Sequence, residues 1–241
     1  MLEITLEKKY LPFAMAEEIK NLRTGISFSG ENLKTLLFTS CTPNEGKSTI
    51  ALETVRSFAE LGKKTLYIDC DLRKSIFNSR VVEGKPKYGL THFLTGQCDL
   101  DDIIYRNYDR EDDIEFDVIP SGPVSNSPTE LIASGKFESI LKELREEYDI
   151  VIIDSPPLAS VGDAAIISAF VDGAILVVEA GNVDYRLIQK VRDKLSASGA
   201  RILGVVLNKV DKSNKGYGYY KRGYGYGYGY GYGYGYGQNE Q

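Results

Sequence analysis

Little in this 241-residue chain invites redox, metal-cage or membrane chemistry. It has three cysteines, Cys41, Cys70 and Cys98, and one histidine, His92. An odd cysteine count without C-x-x-C spacing indicates neither a disulfide framework nor a zinc site, and reduced cytosol is the simpler home. His92 lacks metal-ligand spacing around it and reads as a partly exposed helix residue. No uncharged apolar run reaches the roughly 18 residues of a membrane span. The N-terminal MLEITLEKKYLPF carries acidic residues and no apolar stretch of signal-peptide length. An excess of positive charge is also missing. The net charge of −5 argues against a broad nucleic-acid surface, so no nucleic-acid partner is expected. What remains is a chain with 42% hydrophobic residues, long enough for one α/β domain with a large core.

The most informative stretch is TSCTPNEGKST, Thr39 to Thr49, which follows the apolar run Leu36, Leu37, Phe38. A β-favouring run entering a loop that ends in Gly-Lys-Ser, with a helical pattern after it, builds a backbone cradle for phosphates. The expected nucleotide contacts are Pro43, Asn44, Glu45, Gly46, Lys47, Ser48 and Thr49. Gly46 keeps a Cβ away from the anion, the Lys47 ammonium reaches the β and γ phosphates, and the Ser48 hydroxyl is a magnesium ligand. Cys41 stands where such loops usually begin with glycine, and Pro43 stiffens the turn.

Two further motifs suit the same site. Thr65 to Ile68 reads as a buried strand that delivers Asp69, Asp71 and Arg73 in DCDLR; Ile150 to Ile153 reads as another, ending at Asp154-Ser155-Pro156-Pro157. Carboxylates just past the C-terminal ends of parallel strands lie where ligands bind in open α/β sheets. Asp154 is placed to hold Mg²⁺ directly or through water. Asn208-Lys209-Val210-Asp211 follows the last strand. GTPases usually carry glycine where Pro157 stands, so ATP is favoured over GTP, with Asn208 as a base-edge contact.

Between these motifs, helices are expected at Ala14–Ser27, Ser48–Leu61, Lys136–Glu147, Asp163–Phe170 and Asp184–Ser198. Strands are expected at Phe116–Pro120, Gly173–Glu179 and Arg201–Leu207. Tyr88–Arg106 reads as short helices, Asp109–Glu115 as an exposed acidic loop, and Ser127-Pro128-Thr129-Glu130 as a capping box. Strand and helix alternation of this length implies right-handed crossovers, and so a doubly wound, mainly parallel sheet with helices on both faces. On the first helix Glu17, Lys20 and Arg23 share one side, which suits either a solvated face or a subunit contact.

From Lys212 onward the composition changes. Ten tyrosines, Tyr217, Tyr219, Tyr220, Tyr224, Tyr226, Tyr228, Tyr230, Tyr232, Tyr234 and Tyr236, mostly alternate with glycine. Glycine at every other position makes an ordered strand entropically costly, so residues 212–241 are expected to be a mobile tail following a domain of residues 1–211. A flexible chain of about 30 residues spans roughly 30 Å, enough to reach a neighbouring subunit.

With these residues in hand, the chain resembles the bacterial tyrosine kinases of the BY-kinase family, which use a P-loop NTPase fold. Ser40 to Ser48 is similar to the family's first motif; Asp69, Asp71 and Arg73 match its second; Asp154 to Pro157 match its third; the tyrosine cluster completes the set. The family's ExxRxxR oligomerisation motif is matched in part, by Glu17, Lys20 and Arg23. Related partition ATPases carry a signature lysine where Thr42 stands here.

The resemblance implies ATP and Mg²⁺ as cofactors. Lys47 and the loop would hold the phosphates, and Ser48 and Asp154 the metal, with Asp71 in its outer shell. Asp69 would accept the tyrosine proton. It also implies a homo-oligomer, a separate transmembrane activator, protein substrates in polysaccharide synthesis, and a cytoplasmic position at the inner face of the membrane. A partition-type ATPase switch and a non-enzymatic assembly module built on the tyrosine–glycine tract stand as the competing readings.

Overall fold

The computed structural model describes residues 2–210. All ten tail tyrosines, and with them the expectation of a mobile tail, lie outside the described residues. Nine strands occur among the described residues: β1 (Leu2–Leu6), β2 (Thr35–Ser40), β3 (Thr65–Asp69), β4 (Val81–Glu83), β5 (Tyr105–Asp109), β6 (Ile114–Ile119), β7 (Ile150–Asp154), β8 (Gly173–Glu179) and β9 (Ile202–Asn208). Seven helices accompany them: α1 (Phe13–Phe28), α2 (Lys47–Ala59), α3 (Leu90–Leu94), α4 (Pro128–Ile132), α5 (Gly135–Glu147), α6 (Asp163–Ile167) and α7 (Tyr185–Ala197).

The strands form one sheet in the order β4-β1-β5-β6-β3-β7-β2-β8-β9. From β6 to β9 every neighbouring pair is parallel, while β5 against β6 and β1 against β4 are antiparallel. The central strands β2, β3 and β7 are buried along their whole length, because helices cover both faces. That is why they appear in the sequence as continuous apolar runs. Alternate residues divide between two cores. Leu37, Ile68 and Ile153 pack with Ile140 and Leu144 of α5, while Leu36, Phe38 and Ile152 pack with Ile26 of α1 and Val55 and Phe58 of α2. Each fully buried aliphatic or aromatic side chain of this kind contributes about 1.5–3 kcal/mol.

The flank departs from expectation. Tyr88–Arg106 is not helical throughout: its end enters β5, which forms a hairpin with β6, and the exposed acidic loop expected at Asp109–Glu115 is the turn of that hairpin, residues 110–113, with its ends drawn into the two strands. In β5 the odd residues Tyr105, Asn107 and Asp109 point inward. Burial of Asp109 is tolerated because the Arg56 guanidinium of α2 pairs with it. Asn107 Oδ1 accepts from the Leu6 backbone N–H at 2.8 Å and so holds the N-terminal strand β1. α4 starts where the capping box places it, with Pro128 at its first turn, but Ser127 makes no side-chain cap. α6 stops at Ile167, short of the expected Phe170. His92 lies half-buried on α3, as expected. No helix among the described residues is long and apolar enough to cross a membrane.

Candidate active site

β2, β3 and β7 are neighbours, so the loops leaving their C-terminal ends converge. Pairing of Asp69 with Asp154 in the register of β3 and β7 sets the two carboxylates side by side. A cavity of about 480 Å³ opens there, lined by the loop from Pro43 to Thr49 and by Asp69, Asp71, Arg73 and Asp154, among others. Every expected site residue of the three motifs is brought together in it.

The phosphate loop is held by its own side chains. The buried Glu45 carboxylate accepts from the Thr42 backbone N–H and hydroxyl on one oxygen, and on the other from the Glu179 backbone N–H at 3.1 Å. Asn44 and Gly46 take left-handed backbone angles, with φ of 66° and 87°. The positive φ at Gly46 is what calls for glycine there, and a Cβ would also crowd the Asn208 amide. Cys41, in the usual first-glycine position, is fully buried in the core, where a side chain is accommodated.

α2 begins at Lys47, and while the Thr49 and Ile50 N–H groups bond the Gly46 carbonyl, those of Lys47 and Ser48, which line the cavity, have no backbone partner among the described residues. Lys47 is 7% exposed; its Nζ pairs with Asp154 Oδ1 and donates to Ser48 Oγ at 3.1 Å. The hydroxyl and the carboxylate expected to bind metal therefore meet around one point. Tyr67 donates its hydroxyl to Asp154 Oδ2 at 2.9 Å.

Asp69 is 2% exposed. Its Oδ1 accepts from the Asp71 backbone N–H at 3.1 Å, and its Oδ2 from the Ser75 hydroxyl. Burial, and then the charge of neighbouring Asp154, push its carboxyl up to about 7. Asp71 is less enclosed. Its Oδ1 caps the backbone N–H groups of Arg73 and Lys74 at 3.2 and 2.9 Å.

Several residues at the site, Asp163, Tyr67, Ser75 and Arg80 among them, are marked by none of the sequence motifs. Arg73 forks onto the fully buried Asp163 of α6, at 2.8 and 3.1 Å, and both meet the Thr129 hydroxyl of α4. That triad anchors the DCDLR loop to two helices. Tyr67, Ser75 and Arg80 also line the cavity. The Asn208 amide donates to the Glu45 carbonyl at 2.8 Å, so the residue expected to meet the base lies against the phosphate loop, outside the residues that line the cavity. Of the α1 trio, Glu17 and Lys20 pair with each other at 2.8 Å, but Arg23 turns inward to the Ser57 carbonyl and hydroxyl of α2.

A phosphate loop between strand and helix, with paired carboxylates at the neighbouring strand ends, defines a P-loop nucleotide-binding protein. A family model described as an AAA domain matches residues 44–207. The tyrosine-protein kinase CpsD of Streptococcus agalactiae is 38% identical over 205 residues, covering 85% of this chain and 87% of that protein. Among solved structures, the kinase domain of Escherichia coli tyrosine kinase ETK superposes with a TM-score of 0.76 at 26% identity, over 95% of each chain. The chimerical protein CapA2B2 gives 0.75 at 31% identity, over 88% of this chain and 95% of that one. The chain belongs to the AAA-domain family and, within it, to the bacterial tyrosine-protein kinases.

Proposed function

We propose that this kinase transfers the γ-phosphate of ATP, bound as its magnesium complex, to tyrosines of its own C-terminal cluster, between subunits of an assembly. The observation that supports this is the single cavity shared by Lys47, Ser48, Asp69 and Asp154. Phosphoryl transfer asks mainly for positioning and charge neutralisation, and these groups suffice for both. Loop amides and Lys47 hold the phosphates, while Asn208 holds the loop from below. The oxygen donors Ser48 and Asp154, gathered around one point, fit magnesium, which supplies positive charge against the phosphates. Asp71 contributes from farther out. Asp69 accepts the phenol proton; a carboxyl raised toward neutrality is suited to that role against a phenol of ordinary pKa about 10.

Mass spectrometry of the purified chain, with and without Mg-ATP, tests the reading. Phosphate on Tyr217 to Tyr236 that depends on ATP is the expected result. Hydrolysis without phosphotyrosine would install the ATPase switch in its place, and no turnover at all the assembly module.

Each phosphate adds about −1.5 to −2 charges, so a multiply phosphorylated segment repels its copies and the site's carboxylates. Phosphorylation is therefore expected to weaken the assembly, to which Glu17, Lys20 and Arg23 of α1 contribute. Light scattering before and after phosphatase treatment checks this: the treated sample should be heavier, and equal masses count against it. The inferred setting is the inner face of the membrane. There a separate transmembrane activator engages the kinase, and its substrates serve polysaccharide synthesis and export. Support for this comes from the family resemblance and from a chimerical protein standing among the structural neighbours.

A further inference from the structure

Arg80 closes the short 3-10 turn Phe77–Arg80 that follows the DCDLR loop, and it is 9% exposed. Its Nη2 donates to Thr49 Oγ1 at 3.0 Å. Among the described residues that is the only hydrogen bond of its side chain, and no carboxylate lies within 4 Å of it. The other comparably buried arginine, Arg56, is matched with Asp109 and Glu53, and the more open Arg73, Arg106 and Arg145 also pair with acids, Asp163, Asp117 and Asp172. Arg80 faces the cavity instead.

The guanidinium is held by one neutral hydroxyl, and its remaining N–H groups open onto the cavity, free to meet an anion. Glu53, one turn along α2 from Thr49, feels the charge of Arg80, but its closest cation is Arg56 at 3.8 Å. The position is built in. The Arg80 carbonyl accepts from the Glu7 backbone N–H at 2.6 Å, and the next residue begins β4, which pairs with β1. Thr49 directly follows Ser48 in the loop-helix junction, so the guanidinium stands beside the phosphate cradle with Nε and Nη1 unpartnered among the described residues. Such a fork matches phosphate oxygens.

We infer that Arg80 is a ligand for a phosphate of the bound nucleotide, contributed by the segment between β3 and β4 and by none of the three motifs. The inference rests on the nucleotide reading of the cavity. It is tested by equilibrium binding of ADP and adenosine to the full chain and its Arg80→Gln and Arg80→Lys variants, with ligand-free melting curves alongside. Arg80→Gln should weaken ADP about tenfold or more and leave adenosine unchanged. Arg80→Lys, which keeps the charge without the fork, should recover part of the loss. Unchanged ADP affinity in Arg80→Gln overturns the inference and leaves the nucleotide site standing. Equal losses for ADP and adenosine in either variant, the mark of a merely structural role, overturn it as well. A wild-type chain that binds neither compound removes the nucleotide reading itself.

Discussion

A Lys47→Met chain incubated with Mg-ATP should carry no detectable phosphotyrosine, with transfer lowered by about 10³-fold or more. Methionine keeps most of the volume of this nearly buried side chain but removes its charge. One preorganised donor aimed at charge that develops in a transition state is worth about 10²–10³-fold. Lys47 also serves ground-state phosphate binding, so nucleotide affinity falls together with turnover. The substitution has a structural cost as well. Asp154 loses its cation and keeps the Tyr67 hydroxyl, and breaking a buried pair costs about 3–5 kcal/mol. Circular dichroism must therefore show a folded variant with a lowered melting temperature before its inactivity is read as chemistry. Phosphotyrosine persisting in the folded variant would falsify the assignment of this cavity.

Asp69→Asn separates transfer from binding. The amide keeps the size of the carboxylate and can still accept from the Asp71 backbone N–H, but it cannot take a proton. ADP affinity should stay near that of the unaltered chain, while tyrosine phosphorylation falls by about 10²–10⁴-fold, the usual contribution of a general base. Lys47→Met and Asp69→Asn then differ in kind: the first loses nucleotide and transfer, the second transfer alone. Single-turnover rates with radiolabelled ATP make the comparison. If Asp69→Asn transfers phosphate at an undiminished rate, the base lies elsewhere. Asp71, whose Oδ1 is taken up by the turn after it, becomes the next residue to test.

The centre of this molecule is legible in its sequence because burial on both faces forces continuous apolar runs at β2, β3 and β7. The ends of those runs bear the Gly-Lys-Ser, Asp69 and Asp154 signals. The flank is not legible. β1, β4 and β5 have three to five residues each, carry charges, and owe their strand form to partners distant in the chain, as when Asn107 holds Leu6. For the same reason Asp163 escapes a linear reading: its partner Arg73 lies ninety residues away, and nothing near Asp163 marks it as fully buried. Asn208 is visible as the residue after the last strand, but whether it faces a base or props the loop depends on where Glu45 points its carbonyl.

The clamp on the phosphate loop bears on how far the loop can move when a nucleotide binds. Glu45 ties the loop to Thr42 and to the end of β8, and Asn208 with Lys209 ties it to the end of β9, so its curvature is fixed when the chain folds. A cradle already shaped has little left to change when a triphosphate becomes a diphosphate.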